Sequence, residues 1–373
     1  MHGNNSSSNR ATLGRLWRRV ATVAALAAVA GAAQAQAPAG YPASYAQVID
    51  GSKKEARLVV YSTTDSKAAD PLVKDFQALY PWIQVEYNDM NSTELYNRYL
   101  SEQAAGGNSG DTVWNSSMDS ALKLAKQFAL QYDSPERAKL PDWASWQNKA
   151  YGTTFEPAVF VYNKRLVSEA EVPRTHEAFA KLVADPKYKG KVTSYDIEKS
   201  AVGFMLAAQD AKVDPKYWDF IKAVGAAGVL VQSSTGTMLE RVSSGENLLG
   251  YNILGPYAEA KAKKDPSLGI AYPTDHALVL SRVAFISRRA KNPNAAKLWL
   301  DYLLSKRGQE VIAHQAELVS VRNDIEGDND VDGMTKKLGK ALHPIPVDES
   351  LLDYLEQNKR LAFIKQWRES AGK

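Results

Sequence analysis

Four short polar clusters follow apolar runs in this sequence: Ser62-Thr63-Thr64, Ser116-Ser117, Lys199-Ser200 and Ser233-Ser234-Thr235. A hydroxyl donates one hydrogen bond and accepts two, so such a cluster suits either a helix cap or a polar ligand. Capping alone accounts for any one of them, but their recurrence at equivalent places in the chain points to a polar ligand. Asp65, Glu156, Asp196 and Glu198 add carboxylates, which accept from hydroxyls or pair with an amine. Tyr151, Tyr251 and the adjacent Asn252 border the predicted loops and are expected to stack against, or hydrogen-bond, whatever occupies the space between them.

Other chemistries are poorly represented. The chain has no cysteine, which removes disulfides, thiolate ligands and a lipid-modified Cys. His176, His276, His314 and His343 are scattered, with no pair at metal-ligand spacing, so neither a metal site nor a cofactor is expected. Asp328-Asn329-Asp330-Val331-Asp332-Gly333 matches the opening of a calcium loop, yet Gly339 stands where the bidentate Glu belongs, and a solvated acidic loop is the expectation. A serine hydrolase would need a Gly-x-Ser-x-Gly elbow or a Ser-x-x-Lys pair beside a partner base, and no convincing instance occurs. The formal charge of +4 comes from basic residues interleaved with acidic ones, without a basic stripe, which argues against nucleic acid as a partner.

The elements that must position the hydroxyls alternate. Arg57 to Tyr61 reads as a buried strand, Leu72, Val73, Phe76, Leu79 and Tyr80 recur at helical spacing, and Ile83 to Tyr87 alternates like a second strand. Asn91-Ser92 caps a further helix, and Asp111 to Trp114 reads as a third strand. Later strand candidates are Ala158 to Tyr162, Lys191 to Tyr195, Gly228 to Val231, Leu248 to Tyr251 and a single run from Val279 to Ile286. Strands alternating with helices predict an α/β fold of mainly parallel sheets covered on both faces. In such sheets ligands bind beyond the carboxyl ends of the strands, where the hydroxyl clusters fall.

Arg10, Arg15, Arg18 and Arg19 precede an apolar stretch from Val20 to Ala30, and Ala33-Gln34-Ala35 supplies a small-residue cleavage site. Residues 1–35 are therefore expected to be a signal peptide. An exported chain without an anchor is retained only behind a second membrane, so a Gram-negative periplasm is expected. The remaining chain exceeds what a single core usually organises, which predicts two domains.

Leu58-Val59-Val60-Tyr61-Ser62, Phe160-Val161-Tyr162-Asn163-Lys164, Val242-Ser243-Ser244-Gly245-Glu246, Asn292-Pro293-Asn294-Ala295-Ala296-Lys297, Leu303-Leu304-Ser305 and Gly308-Gln309-Glu310 occur in this order. Together they resemble the type II periplasmic solute-binding proteins of ABC importers, in the branch that binds ferric iron or sugar phosphates. The resemblance implies two lobes, each a mainly parallel sheet flanked by helices, joined by hinge crossover strands near Tyr151 to Ala158 and near Ile270 to Asp275. Lobe 1 is then 36–155 plus 275–325, and lobe 2 is 156–274 plus 326–373. It further implies hinge closure over a small-molecule solute, an inner-membrane ABC permease as partner, no enzymatic activity, and action as a monomer.

Ferric-iron members hold the metal with a His, a Glu and an adjacent Tyr pair. Here Asp65, Ser116 and Ile253-Leu254 stand in those places, which implies that iron binding is lost, since ferric iron needs hard anionic oxygens. The branch also places an anion at a helix start, and Lys199-Ser200-Ala201 falls there. A solute with a phosphate or phosphonate at one end and hydroxyls or an amine at the other fits both signs of charge. The expected ligand set is Ser62, Thr63, Thr64, Asp65, Ser116, Ser117, Glu156, Lys199, Ser200, Ala201, Ser234, Thr235, Tyr251 and Asn252. The alternatives are a ferric-iron-binding protein of the same family and a binding protein that reports to a membrane sensor kinase.

Overall fold

The computed structural model describes residues 37–107, 109–327 and 329–373. The expected signal peptide and Asp328 lie outside them. Among the described residues thirteen strands run in chain order: β1 (Arg57–Ser62), β2 (Gln84–Asp89), β3 (Thr112–Asn115), β4 (Ser145–Trp146), β5 (Ala150–Gly152), β6 (Glu156–Asn163), β7 (Val192–Tyr195), β8 (Leu230–Gln232), β9 (Leu249–Leu254), β10 (Leu268–Ala271), β11 (Ala277–Leu280), β12 (Val283–Ile286) and β13 (Leu342–Pro344). They form two sheets flanked by helices, one in each of two lobes.

The first sheet has the order β2-β1-β3-β12-β5-β4. β1 is parallel to both β2 and β3, and β12 runs antiparallel to β3. The second sheet has the order β13-β11-β6-β9-β7-β8, with β10 also on β6. β7 is parallel to β8 and β9, whereas β6 is antiparallel to β9, β10 and β11. All eight residues of β6 are buried, as expected of a strand with neighbours on both edges and helices on both faces.

Local sequence explains where the helices over the strand ends begin. Asn91 caps Ser92–Ala104 by accepting from the Glu94 N–H at 2.9 Å, Ser200 caps Ala201–Val213 through the Gly203 N–H at 3.3 Å, and Ser234 caps Thr235–Ser244 through the Thr237 N–H at 3.2 Å. The acidic stretch matched to a calcium loop does the same work: Asp330 accepts from the Gly333 N–H at 2.7 Å and caps Val331–Leu338.

One expectation fails at the second crossover. The run from Val279 to Ile286 reads as one strand, but it is two, broken at Ser281-Arg282, and the halves belong to different sheets. β11 therefore lies in the second sheet although 275–325 was assigned to lobe 1, and the chain crosses between Leu280 and Val283 rather than near Ile270 to Asp275. Arg282 falls at the break: a guanidinium inside a buried run requires a charged partner, and it finds one in Glu156. The other crossing lies between Gly152 and Glu156.

Apolar packing is distributed over the far face of each sheet and the seam between them. Phe76, Trp299 and Tyr302 lie in the core behind the first sheet; Phe160, Phe179, Phe220 and Tyr251 lie in the core behind the second. A third core crosses the seam, joining Val113, Met118 and Phe285 to Val202, Met205, Met238 and Ile253.

Candidate ligand-binding cleft

The carboxyl ends of β1 and β3 face the starts of the second-lobe helices, and both crossovers pass beneath them. Ser62, fully buried at the end of β1, donates to the Trp114 carbonyl at 3.0 Å and accepts from the Thr64 N–H at 3.0 Å. The Thr63 hydroxyl meets the Ser116 hydroxyl at 3.0 Å and accepts from the Ser116 N–H at 2.8 Å. Ser117 donates to Asp119 at 2.7 Å, and burial raises the Asp119 carboxyl above the usual carboxylate range against these hydroxyl and backbone donors.

Beneath these turns lies a fully buried ion pair. The Arg282 Nε and Nη2 donate to the two Glu156 oxygens at 2.7 and 3.0 Å, and both side chains have no exposed area. Arg282 Nη1 also donates to the Thr64 hydroxyl at 2.9 Å and the Tyr257 hydroxyl at 3.2 Å. Burial alone would lower the Arg282 pKa, but the charge of Glu156 and the hydrogen bonds to Glu156 and Tyr257 outweigh it and keep the guanidinium firmly protonated. One side chain thus ties both crossovers, the first-lobe turn and the helix Gly255–Ala262 together. Tyr257, pushed up to about 12 by burial, accepts from the Asp65 N–H at 3.1 Å. Asp65 itself is raised, by desolvation first and against the pull of Arg282.

The lobes touch at several further points. The Thr93 hydroxyl donates to the Lys199 carbonyl at 2.9 Å, the Val202 N–H donates to the Ser92 hydroxyl at 3.2 Å, and the Met118 N–H points at the Met205 sulfur at 3.2 Å. Two grooves open along the seam. One, of about 440 Å³, is lined by Asp65, Lys67, Leu239, Glu240, Tyr257, Lys261, Lys264 and Glu317. The other, of about 330 Å³, is lined by Thr93, Tyr96, Ser120, Lys123, Ala201 and Arg360.

Most of the expected ligand set is gathered at this seam: Ser62, Thr63, Thr64, Asp65, Ser116, Ser117, Glu156, Lys199, Ser200 and Ala201. Ser234 and Thr235 begin the helix that flanks the larger groove through Gly236 and Leu239, and the Thr235 hydroxyl is bonded to Tyr195. Glu156 is spent on Arg282, and Lys199 extends into solvent with its ammonium 3.6 Å from Asp196. Glu198 is turned outward into a surface pair with Arg368.

Three aromatic and amide residues are not at the cleft. Tyr251 packs among Phe160, Phe179, Phe220 and His176, and its hydroxyl is bonded to Asp210. Asn252, at φ +59°, donates to the same Asp210 at 2.7 Å. Tyr151 lies in the first-lobe interior, bonded to the Tyr132 carbonyl. β5 and β9 present Tyr151 and Tyr251 to the cores behind their sheets, and the left-handed backbone at Asn252 breaks the alternation and brings its amide to the same Asp210. Arg282, Tyr257 and Tyr195 were missed, although an arginine inside a predicted buried strand was a signal for the first. The histidines are less scattered than their spacing implies, for His176, His276 and Asp275 converge.

Residues 71–335 match the family model described as bacterial extracellular solute-binding protein. The chain belongs to that family. A crystal structure of the substrate-binding protein of an ABC transporter from Agrobacterium tumefaciens is 39% identical, covering 84% of this chain and 94% of that one, with a TM-score of 0.81. AfuA from Actinobacillus pleuropneumoniae, solved with fructose-6-phosphate bound, is 19% identical over 85% of this chain and 98% of its own, at 0.71. A ferric binding protein from Campylobacter jejuni is 19% identical over 84% and 99%, at 0.66. No curated protein matches the sequence. As a member of that family, the chain is a solute-binding protein rather than an enzyme.

Proposed function

We propose that this solute-binding protein acts in the periplasm and captures a small organic solute carrying a phosphate or phosphonate, with hydroxyls or an amine at its other end. The observation that carries the reading is the larger seam groove. Its volume of about 440 Å³ suits a hexose-phosphate-sized molecule, and its walls come from both lobes and offer both signs of charge. Lys67, Lys261 and Lys264 can face an anion, while Asp65, Glu240 and the Tyr257 hydroxyl can accept from hydroxyls or an amine. Hydroxyls and capped helix starts on either side of the seam extend the polar surface. That AfuA binds fructose-6-phosphate on the same fold agrees with this chemistry. Ile253 and Leu254, where an iron-binding tyrosine pair would stand, are buried apolar residues of β9, which favours an organic solute over ferric iron.

Calorimetric titration of refolded, ligand-stripped protein tests the proposal. Hexose phosphates or aminophosphonates are expected to bind saturably, with affinity lowered at least tenfold by Lys67→Ala combined with Asp65→Asn, a loss of about 1.4 kcal/mol. Saturable binding of an uncharged sugar alone would overturn it.

A further inference from the structure

Behind the second sheet, away from the seam, lies a cluster that solute capture does not use. His176 opens the helix His176–Leu182, and Asp275 and His276 lie on the segment that enters β11. One donor atom from each of the three lies within 4.8 Å of the others. Two imidazoles and a carboxylate form a nitrogen and oxygen donor set that suits Zn²⁺ and related first-row ions, with water completing the shell.

The surroundings hold these donors in place. His276 Nε2 is 3.2 Å from Asp210, which also accepts from Tyr251 and Asn252. Asp275 accepts from the backbone N–H groups of His176 and His276 at 2.7 and 2.9 Å, and its carboxylate lies 3.1 Å from His176 Nδ1. Asp210 on His276 Nε2 is the support that metal-binding histidines commonly have, because it fixes the ring and raises its basicity. Charge points the same way. Among the described residues, no Lys or Arg side chain pairs with Asp210, Asp214 or Asp275, so the carboxylates around the two rings have no lysine or arginine as a partner. Both histidines are buried, while the Asp275 side chain is 31% exposed and offers a path from solvent.

We propose that His176, Asp275 and His276 form a binding site for one divalent transition-metal ion of the Zn²⁺ class. The two imidazoles are stacked, with centroids 3.9 Å apart and planes within 8° of parallel. Parallel rings cannot aim their in-plane lone pairs at one point, so ion uptake turns one ring out of the stack. The bound ion then ties the helix His176–Leu182 to the segment that leads through β11 to Arg282 at the crossover.

The test uses mature protein purified without a histidine tag and stripped with chelator. Titration with ZnCl2 is expected to show one ion per chain, and Zn²⁺ at a hundred times its dissociation constant should raise Tm by roughly 3–6 °C. His176→Gln and His276→Gln should each weaken uptake at least tenfold, whereas His314→Gln should leave it unchanged. Co²⁺ added to the wild-type protein gives a check that needs no variant: an intense visible band of low-coordinate Co²⁺, discharged by Zn²⁺, is expected. Absence of saturable uptake, absence of that band, or uptake indifferent to both glutamine variants in folded form would overturn the proposal.

Discussion

Arg282 is the residue on which the cleft's interior turns. Its pairing with Glu156 is bidentate and fully buried, so each charge depends on the other to offset lost hydration. Glu156→Gln leaves the guanidinium buried with neutral acceptors only and should destabilise the protein by about 3–5 kcal/mol. The double replacement Glu156→Leu with Arg282→Met removes both charges and should cost clearly less, because no orphan ion remains. Urea denaturation of the three proteins checks this: equal losses for the single and double variants would mean that the pair is not the interaction that matters. At this scale the sequence was legible wherever chemistry was local. Ser200 and Ser234 act where a serine before an apolar run should act, as caps. Tyr251 was misplaced because a tyrosine's type says nothing about which side of its strand faces the ligand, and that depends on register with β6 and β7. The approach of His176 to His276, a hundred residues later in the chain, leaves no trace in spacing.

At the scale of elements, the helix Ala201–Val213 carries the most consequence, since its start lies against the first lobe. Ser200 supplies its cap and is itself buried. Ser200→Ala should cost about 1 kcal/mol, whereas Ser200→Gly should cost only a few tenths, because glycine is itself a favoured residue at this position. Thermal denaturation distinguishes the two, and identical losses would show that packing rather than capping sets the cost. Strand and helix order could be read from alternation and periodicity, from the entry strand β1 through to β9. The division between β11 and β12 was marked only by Ser281-Arg282, a polar break inside an otherwise apolar run, and the ladder partners on its two sides show that the chain changes sheet there.

For the whole molecule, the question is what keeps the lobes together. Only a few polar contacts cross the seam, but an apolar core crosses it as well, and Met205 lies within that core with its sulfur beside the Met118 amide. A protein that captures its solute by hinge closure, as the resemblance implies, must keep the closed form close in energy to the open one, so that a ligand's differential affinity can decide between them. Met205→Ala removes a buried side chain from the core that crosses the seam, and the resulting cavity is expected to penalise the form in which the lobes meet. A shift of about 1.4 kcal/mol lowers the closed-to-open ratio tenfold, and apparent solute affinity falls in proportion to the closed fraction. Small-angle X-ray scattering of the solute-free variant should therefore give a larger radius of gyration than wild type, while circular dichroism shows both lobes still folded. An unchanged radius would mean that the lobes are held by the crossovers and Arg282 alone, and that closure does not depend on packing at the seam.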